Sequence, residues 1–143
     1  MWRALELVGV RRGAGVWWVL CVILLMGCSV RTLETDKVRD LDYELVEEAD
    51  IPEEMRETIE EYKEEAFSFT YADKGRLYIA RGYGKQKTDG YKIQVLELYE
   101  SENAVVLQTT FLGPEPDEET GNEPSYPYIV IQTEYSDKDV VIE

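Results

Sequence analysis

From Phe67 onward the apolar residues recur at every second position, and no other feature of the chain constrains its fold as strongly. Phe67, Phe69 and Tyr71 alternate with Ser68 and Thr70, and Asp73-Lys74-Gly75 then turns the chain into a second run over 77–83. That pattern predicts a hairpin. Tyr91, Ile93 and Val95 alternate with Lys92 and Gln94, after which the apolar phase slips to Leu96 and Leu98. A slip of one predicts a β-bulge, or a strand covered on both faces. Ser101-Glu102-Asn103 leads into a strand in which Val105, Leu107 and Phe111 share a face with Thr109 between the last two. A last pair, 128–135 and 139–142, is expected to fold back around Ser136-Asp137-Lys138.

Before Phe67 the period is helical. Met55, Ile59, Tyr62 and Ala66 stand four, three and four apart, one face of a helix over about 52–65. Asp50 is placed to cap it, with Pro52 in the first turn and Glu53 three places after the cap. Glu53, Glu54, Glu57, Glu60, Glu61, Glu64 and Glu65 are read as its solvated faces, with a cation-binding or basic-partner surface as the alternative. A short strand over 43–46 precedes the helix. The fold class predicted is α+β: a mainly antiparallel β-sheet, sandwich-like or half-barrel, with one N-terminal amphipathic helix. About 100 ordered residues bury roughly 60 to 70% of their unfolded surface, enough for one core.

The first 27 residues belong to something else. Arg3, Arg11 and Arg12 precede an uninterrupted apolar run over 14–26, the layout of an export signal and shorter than the ~20 residues that span a bilayer. The run closes on Leu25-Met26-Gly27-Cys28, which resembles the lipobox of bacterial lipoproteins. The resemblance implies cleavage before Cys28, with the thiol of that residue carrying the lipid, and two acyl chains suffice for stable anchoring. An uncleaved membrane helix with Trp17 and Trp18 at the interface is the alternative. The expected organisation is therefore a lipoprotein signal peptide over 1–27, a tether over 28–42 and a single β-rich domain over 43–143. The expected location is the extracytoplasmic face of a bacterial cell membrane.

Charge and composition remove whole classes of function. The chain has 15 bases, 30 acids and no histidine, a formal charge of −15; without the leader, twelve bases face twenty-nine acids, which gives −17. Phosphate binding needs clustered cations, so nucleic acid is not an expected partner. No imidazole is present to serve a Ser or Cys nucleophile or to ligate a metal, and of the two cysteines Cys21 lies in the leader and Cys28 opens the tether. No acid pair stands out for carboxylate catalysis. The expectation is a non-enzyme without metal or cofactor.

Two connections stand out. Gly82-Tyr83-Gly84-Lys85-Gln86-Lys87-Thr88-Asp89-Gly90-Tyr91 is glycine-punctuated and basic, and it leads into a strand where a phosphate loop would open a helix. Lys85, Lys87, Thr88, Asp89, Gly90 and Tyr91 form the candidate partner-binding loop. Arg81, Lys85, Lys87 and Lys92 fall within twelve residues, placed to meet an acidic partner or, as the plainer alternative, to neutralise acids of the same domain. The second connection, 113–125, carries Glu115, Asp117, Glu118, Glu119 and Glu123 among three prolines. Its spacing is not that of an EF-hand, and an exposed loop is expected in preference to a Ca²⁺ site.

Gly82-Tyr83-Gly84-Lys85-Gln86, Thr88-Asp89-Gly90-Tyr91-Lys92-Ile93, and Ser125-Tyr126-Pro127-Tyr128-Ile129-Val130-Ile131 together resemble the C-terminal domain of the PrcB family over about 76–135. This resemblance implies an envelope lipoprotein that acts as a stabilising subunit of an exported protease complex, and it brings no catalytic residue. The family's usual Thr-Gly-Gly-Tyr is Thr-Asp-Gly-Tyr here, so Asp89 is expected to take a conformation that glycine takes elsewhere. A fainter similarity, of Thr88 to Tyr91 with the Thr-Gly-Tyr loop of chagasin-type protease inhibitors, implies a β-sandwich inhibitor as the second binding hypothesis.

Overall fold

The computed structural model describes residues 32–143; the leader and the Cys28 site expected for lipidation lie outside the described residues. Residues 33–143 form one unit. No helix among the described residues is long and apolar enough to cross a membrane.

Strand order follows from which edges are free. β1 (Arg39–Asp40), β2 (Tyr43–Leu45), a 3₁₀ turn (Glu48–Asp50) and α1 (Glu53–Tyr62) precede β3 (Ala66–Asp73), β4 (Arg76–Tyr83), β5 (Lys92–Glu100), β6 (Ala104–Leu112), β7 (Tyr128–Glu134) and β8 (Asp139–Ile142). They make two four-stranded sheets, β1-β5-β6-β8 and β2-β7-β4-β3. The sandwich-like form of the predicted α+β fold is the one observed. Turn chemistry sets the hairpin β3–β4: Lys74 and Gly75 both take positive φ, 49° and 75°, as a two-residue turn of the primed kind demands. In β5 the register slips between Val95 and Glu97, so Leu96 is the bulge and stands 55% exposed.

The second sheet is covered on both faces, which explains why Leu77, Tyr78, Ile79 and Ala80 run apolar without a break. Leu77 and Ile79 of β4 and Ile131 of β7 face Leu98, Val105 and Leu107 of the first sheet, closed at one side by Leu41. On the outer face Ile51, Met55 and Ile59, spaced four apart, pack on Ala80 and Val130, flanked by Phe67, Phe69 and Tyr71. Burying one such side chain stabilises by about 1.5–3 kcal/mol.

Several expectations are corrected. The helix is shorter than 52–65, and Pro52 holds the N-cap position with no side-chain bond, because Asp50 is taken up in the 3₁₀ turn. Tyr62 is 52% exposed and Ala66 opens β3, so Ile51, four residues before Met55, completes the buried stripe instead. β8 does not fold back on β7. Both flanks of β7 are occupied, by β2 and β4, so the chain crosses to the other sheet and β8 lies parallel to β6, from Ala104↔Asp139 to Leu107↔Ile142.

Part of the stretch expected as a free tether is docked. Val38 N–H donates to Glu100 O at 2.8 Å, Leu41 N–H to Leu98 O at 3.0 Å, and the Tyr99 hydroxyl to Thr35 O at 2.9 Å. Lys37 lies over the Tyr99 ring, and Glu34 N–H reaches Asn103 Oδ1 at 2.9 Å. The Tyr99 side chain and the backbone of 98–100 hold this segment, and Leu41 enters the core between the sheets.

Candidate functional site

The sandwich has two unlike ends. At the turn pole, the tight turns at Lys74–Gly75 and at Ser101, Glu102 and Asn103 meet the 135–138 crossover. Arg39 ties the sheets there, Nε to Glu100 at 2.6 Å and Nη2 to Glu134 at 2.6 Å, while Lys138 takes the other Glu100 oxygen at 2.7 Å. Lys138, then Arg39, hold the Glu100 carboxyl below the usual carboxylate range. The loop pole at the opposite end carries both connections singled out in the sequence.

These two loops are laced into one surface. Gln86 and Ser125 exchange backbone bonds at 2.8 and 3.1 Å, the Ser125 hydroxyl donates to Thr88 O at 2.6 Å, and Gly121 N–H donates to Asp89 Oδ1 at 2.8 Å. Asp89 therefore acts through its carboxylate. Positive φ falls on Gly90 (88°), where a Cβ would lie 2.9 Å from Pro114 Cβ, and the expectation that Asp89 takes it is corrected. Gly84 (φ 78°) is needed for another reason: a Cβ there would press on the backbone of 64–66, where Lys85 N–H bonds Glu64 O. The motif glycines serve close approach and turn geometry.

Inside the mouth of the sandwich, alternation along β4 carries Arg81 and Tyr83 to the same side as Leu77 and Ile79. Tyr83 stacks on Phe111 at 4.4 Å and 5°, Phe111 on Tyr91 at 5.2 Å and 14°, and the Arg81 guanidinium lies 4.8 Å from the Tyr83 centroid. The Tyr83 hydroxyl reaches Thr109 Oγ1 at 2.7 Å. Sequence reasoning did not single out this Arg81–Tyr83–Phe111–Tyr91 column. Period two from Leu77 and Ile79 was the signal that carried it.

The four clustered bases are not neutralised in contact. Among the described residues the ion pairs engage Lys37, Arg39, Arg56, Lys63 and Lys138. Arg81, Lys85, Lys87 and Lys92 form none among the described residues, where Arg81 Nε is also buried without a hydrogen-bond partner. The structure does not gather the four at one point. Lys85 and Lys87 are exposed on the loop, Arg81 is half-buried in the mouth, and Lys92 starts β5 on its exposed side. The acids of 113–125 are spread along their loop, and no group of three or more metal-ligating side chains converges among the described residues.

At the helix side of this pole Lys63 pairs with Glu60 at 2.8 Å and lies 4.9 Å from the Tyr126 ring centroid. Burial, then Glu48 and Glu60, push the Tyr128 hydroxyl up, against a smaller opposing pull from Arg56 and Lys63.

No curated protein and no solved structure matches this chain. One family model does, and the stretch it matches runs from β4 through both laced loops to the end of β7. Over residues 77–134 the chain is similar to the PrcB C-terminal family, whose model matches that stretch.

Proposed function

We propose that this chain is a lipid-anchored, extracytoplasmic protein-binding module, a non-catalytic subunit of an exported protease complex. The observation that carries the reading is the clustering of Arg81, Lys85, Lys87 and Lys92 within twelve residues at and beside the loop pole, with Lys85 and Lys87 exposed; like Lys74 and Arg76 of the turn pole, they make no ion pair among the described residues of a domain whose mature charge is −17. An acid-rich domain that leaves these bases uncompensated presents them to an acidic surface, and such complementarity acts mainly on association rate and orientation. The PrcB likeness supports a protease complex as the partner's class.

The test is capture of partners from solubilised envelope by the wild type and by Lys85→Glu/Lys87→Glu. A protease-containing complex retained by the wild type and lost by the variant supports the reading. Retention by both sinks the role of the loop. Inhibition of the captured protease at stoichiometric dose transfers the domain to the inhibitor class.

A further inference from the structure

The arginines of the domain differ in what their N–H groups meet. Arg39 donates to Glu100 and Glu134, and Arg56 to Ile51 O. Arg76 has no such bond and stands exposed, where water serves it. Arg81 has neither protein partners nor full exposure. It is half-buried, and none of its N–H groups donates to a described residue. Its Nε is the one buried side-chain nitrogen or oxygen among the described residues without a partner, while Nη1 and Nη2 are not sealed off. Stripping water from a charged donor and giving nothing in exchange is unfavourable, so such a group calls for an explanation.

The sheet fixes where this guanidinium stands. Directly paired residues of antiparallel strands share a face, so Arg81 lies between Ser68 of β3 and Ile129 of β7 on the side turned toward the first sheet. The Tyr83 ring backs the guanidinium at 4.8 Å, and that ring is itself held by the Phe111 stack and the Thr109 hydroxyl. On the β3 side the sandwich is open. Phe67, Phe69 and Tyr71 serve the helix layer, and the opposite face of β3, Ala66, Ser68, Thr70 and Ala72, is exposed. The Ser68 hydroxyl also has no bond to a described residue.

A guanidinium presents a planar fork of donors that a carboxylate meets with two parallel bonds, and a desolvated setting strengthens such pairs. The domain's own acids do not take the fork. The ion pairs among the described residues leave Arg81 out, and Glu143, just after β8, accepts instead from Gln108 Nε2 at 3.0 Å. One guanidinium and one hydroxyl balance a single negative charge. Lys85 and Lys87 stand apart on the loop, so a phosphate dianion would lack a second cation in a domain of charge −17. We propose that Arg81 and Ser68 form a carboxylate-binding site for a glutamate or aspartate side chain of a partner protein. The two Nη groups grip its oxygens, and the Ser68 hydroxyl donates to one of them. The assignment rests on the reading of this domain as a binder of an acidic partner and deepens it: Lys85 and Lys87 attract the partner, and Arg81 fixes its register.

The test is a titration of the full chain, in uncharged detergent micelles, with the peptide acetyl-Ala-Glu-Ala-amide, followed by heteronuclear NMR at the Arg81 Nε–H and the Ser68 amide. Both resonances should shift saturably in the millimolar range, should not move with acetyl-Ala-Gln-Ala-amide, and should move less with inorganic phosphate. Arg81→Lys keeps the charge and loses the fork, so the peptide should bind at least about fivefold more weakly, read at the Ser68 amide. Ser68→Ala changes an exposed position and should weaken binding about twofold to threefold, read at the Arg81 Nε–H. No shift, an equal shift with the glutamine peptide or with phosphate, or unchanged affinity in Arg81→Lys overturns the proposal. Capture from solubilised envelope separates this failure from that of the proposed function. A partner lost by Lys85→Glu/Lys87→Glu and held at wild-type affinity by Arg81→Lys overturns the carboxylate site alone; a partner held by both variants overturns both readings; weakened capture by Arg81→Lys supports the site.

Discussion

Gly82 stands opposite Phe67 in the β3–β4 hairpin, and an added Cβ would lie 2.2 Å from Phe67 Cε1, 2.6 Å from Cζ and 2.7 Å from Cδ1. Carbon atoms rest at about 3.5–4.0 Å, so Gly82→Ala forces the ring aside by more than ~1 Å. That ring is half-buried, packed on Phe69 and against the helix layer, so moving it disturbs those contacts. Overpacking of this kind costs about 1–3 kcal/mol. Replacing a strand glycine by alanine returns about 0.5–1 kcal/mol of backbone entropy, so the clash wins by roughly 0.5–2 kcal/mol. For a domain of this size the midpoint of thermal unfolding should fall by roughly 2–8 °C. A double-mutant cycle isolates the cause. In a Phe67→Ala background the space is open, and Gly82→Ala should become stabilising by about 0.5–1 kcal/mol. Urea unfolding of the four proteins gives both values. Gly82→Ala that is neutral in the wild type, or equal in the two backgrounds, would refute the claim that this motif glycine is kept for the ring above it.

The remaining predictions concern anchor, loop and acid response. Cys28→Ala should abolish diacylglycerol labelling and release a folded domain; continued labelling of that variant would refute the anchor site. Asp89→Ala removes the acceptor for Gly121 N–H, so limited proteolysis should cut within 113–125 several-fold faster while the unfolding midpoint stays nearly fixed. The Glu100 carboxyl is held down by Lys138 and Arg39, so its contribution is present above the unfolded value near 4.5 and is lost as pH falls through the lower folded value. Glu100→Gln should therefore be less stable than the wild type at pH 7 and approach it as pH falls below the unfolded value near 4.5; a difference that stays constant through that fall would contradict the assignment.

Local chemistry made much of the fold legible. The Lys74–Gly75 turn, the slip at Leu96 and the alternation of Phe67, Phe69 and Tyr71 are each decided by neighbours along the chain, and each appears where period and turn residues place it. What escaped depends on partners distant in sequence. β8 leaves β7 because β2, some ninety residues earlier, already holds that edge. Residues 34–41 dock because Tyr99 and the strand around it, some sixty residues later, offer partners, and nothing in Ser29–Asp42 taken alone announces it. The candidate loop was legible as a glycine-rich cationic segment. Its union with 113–125 through Asp89 and Ser125 was not, since single hydrogen bonds across tens of residues leave no period to read.

The central claim is that contact with the partner is made at the loop pole. It is tested most directly by a photo-cross-linking amino acid placed in the intact chain, in living cells, at the position of Lys87 and separately at that of Glu102 in the opposite turn. The account predicts a discrete protein adduct from position 87 and none of that size from position 102. Adducts of equal yield from both, or from position 102 alone, would contradict it.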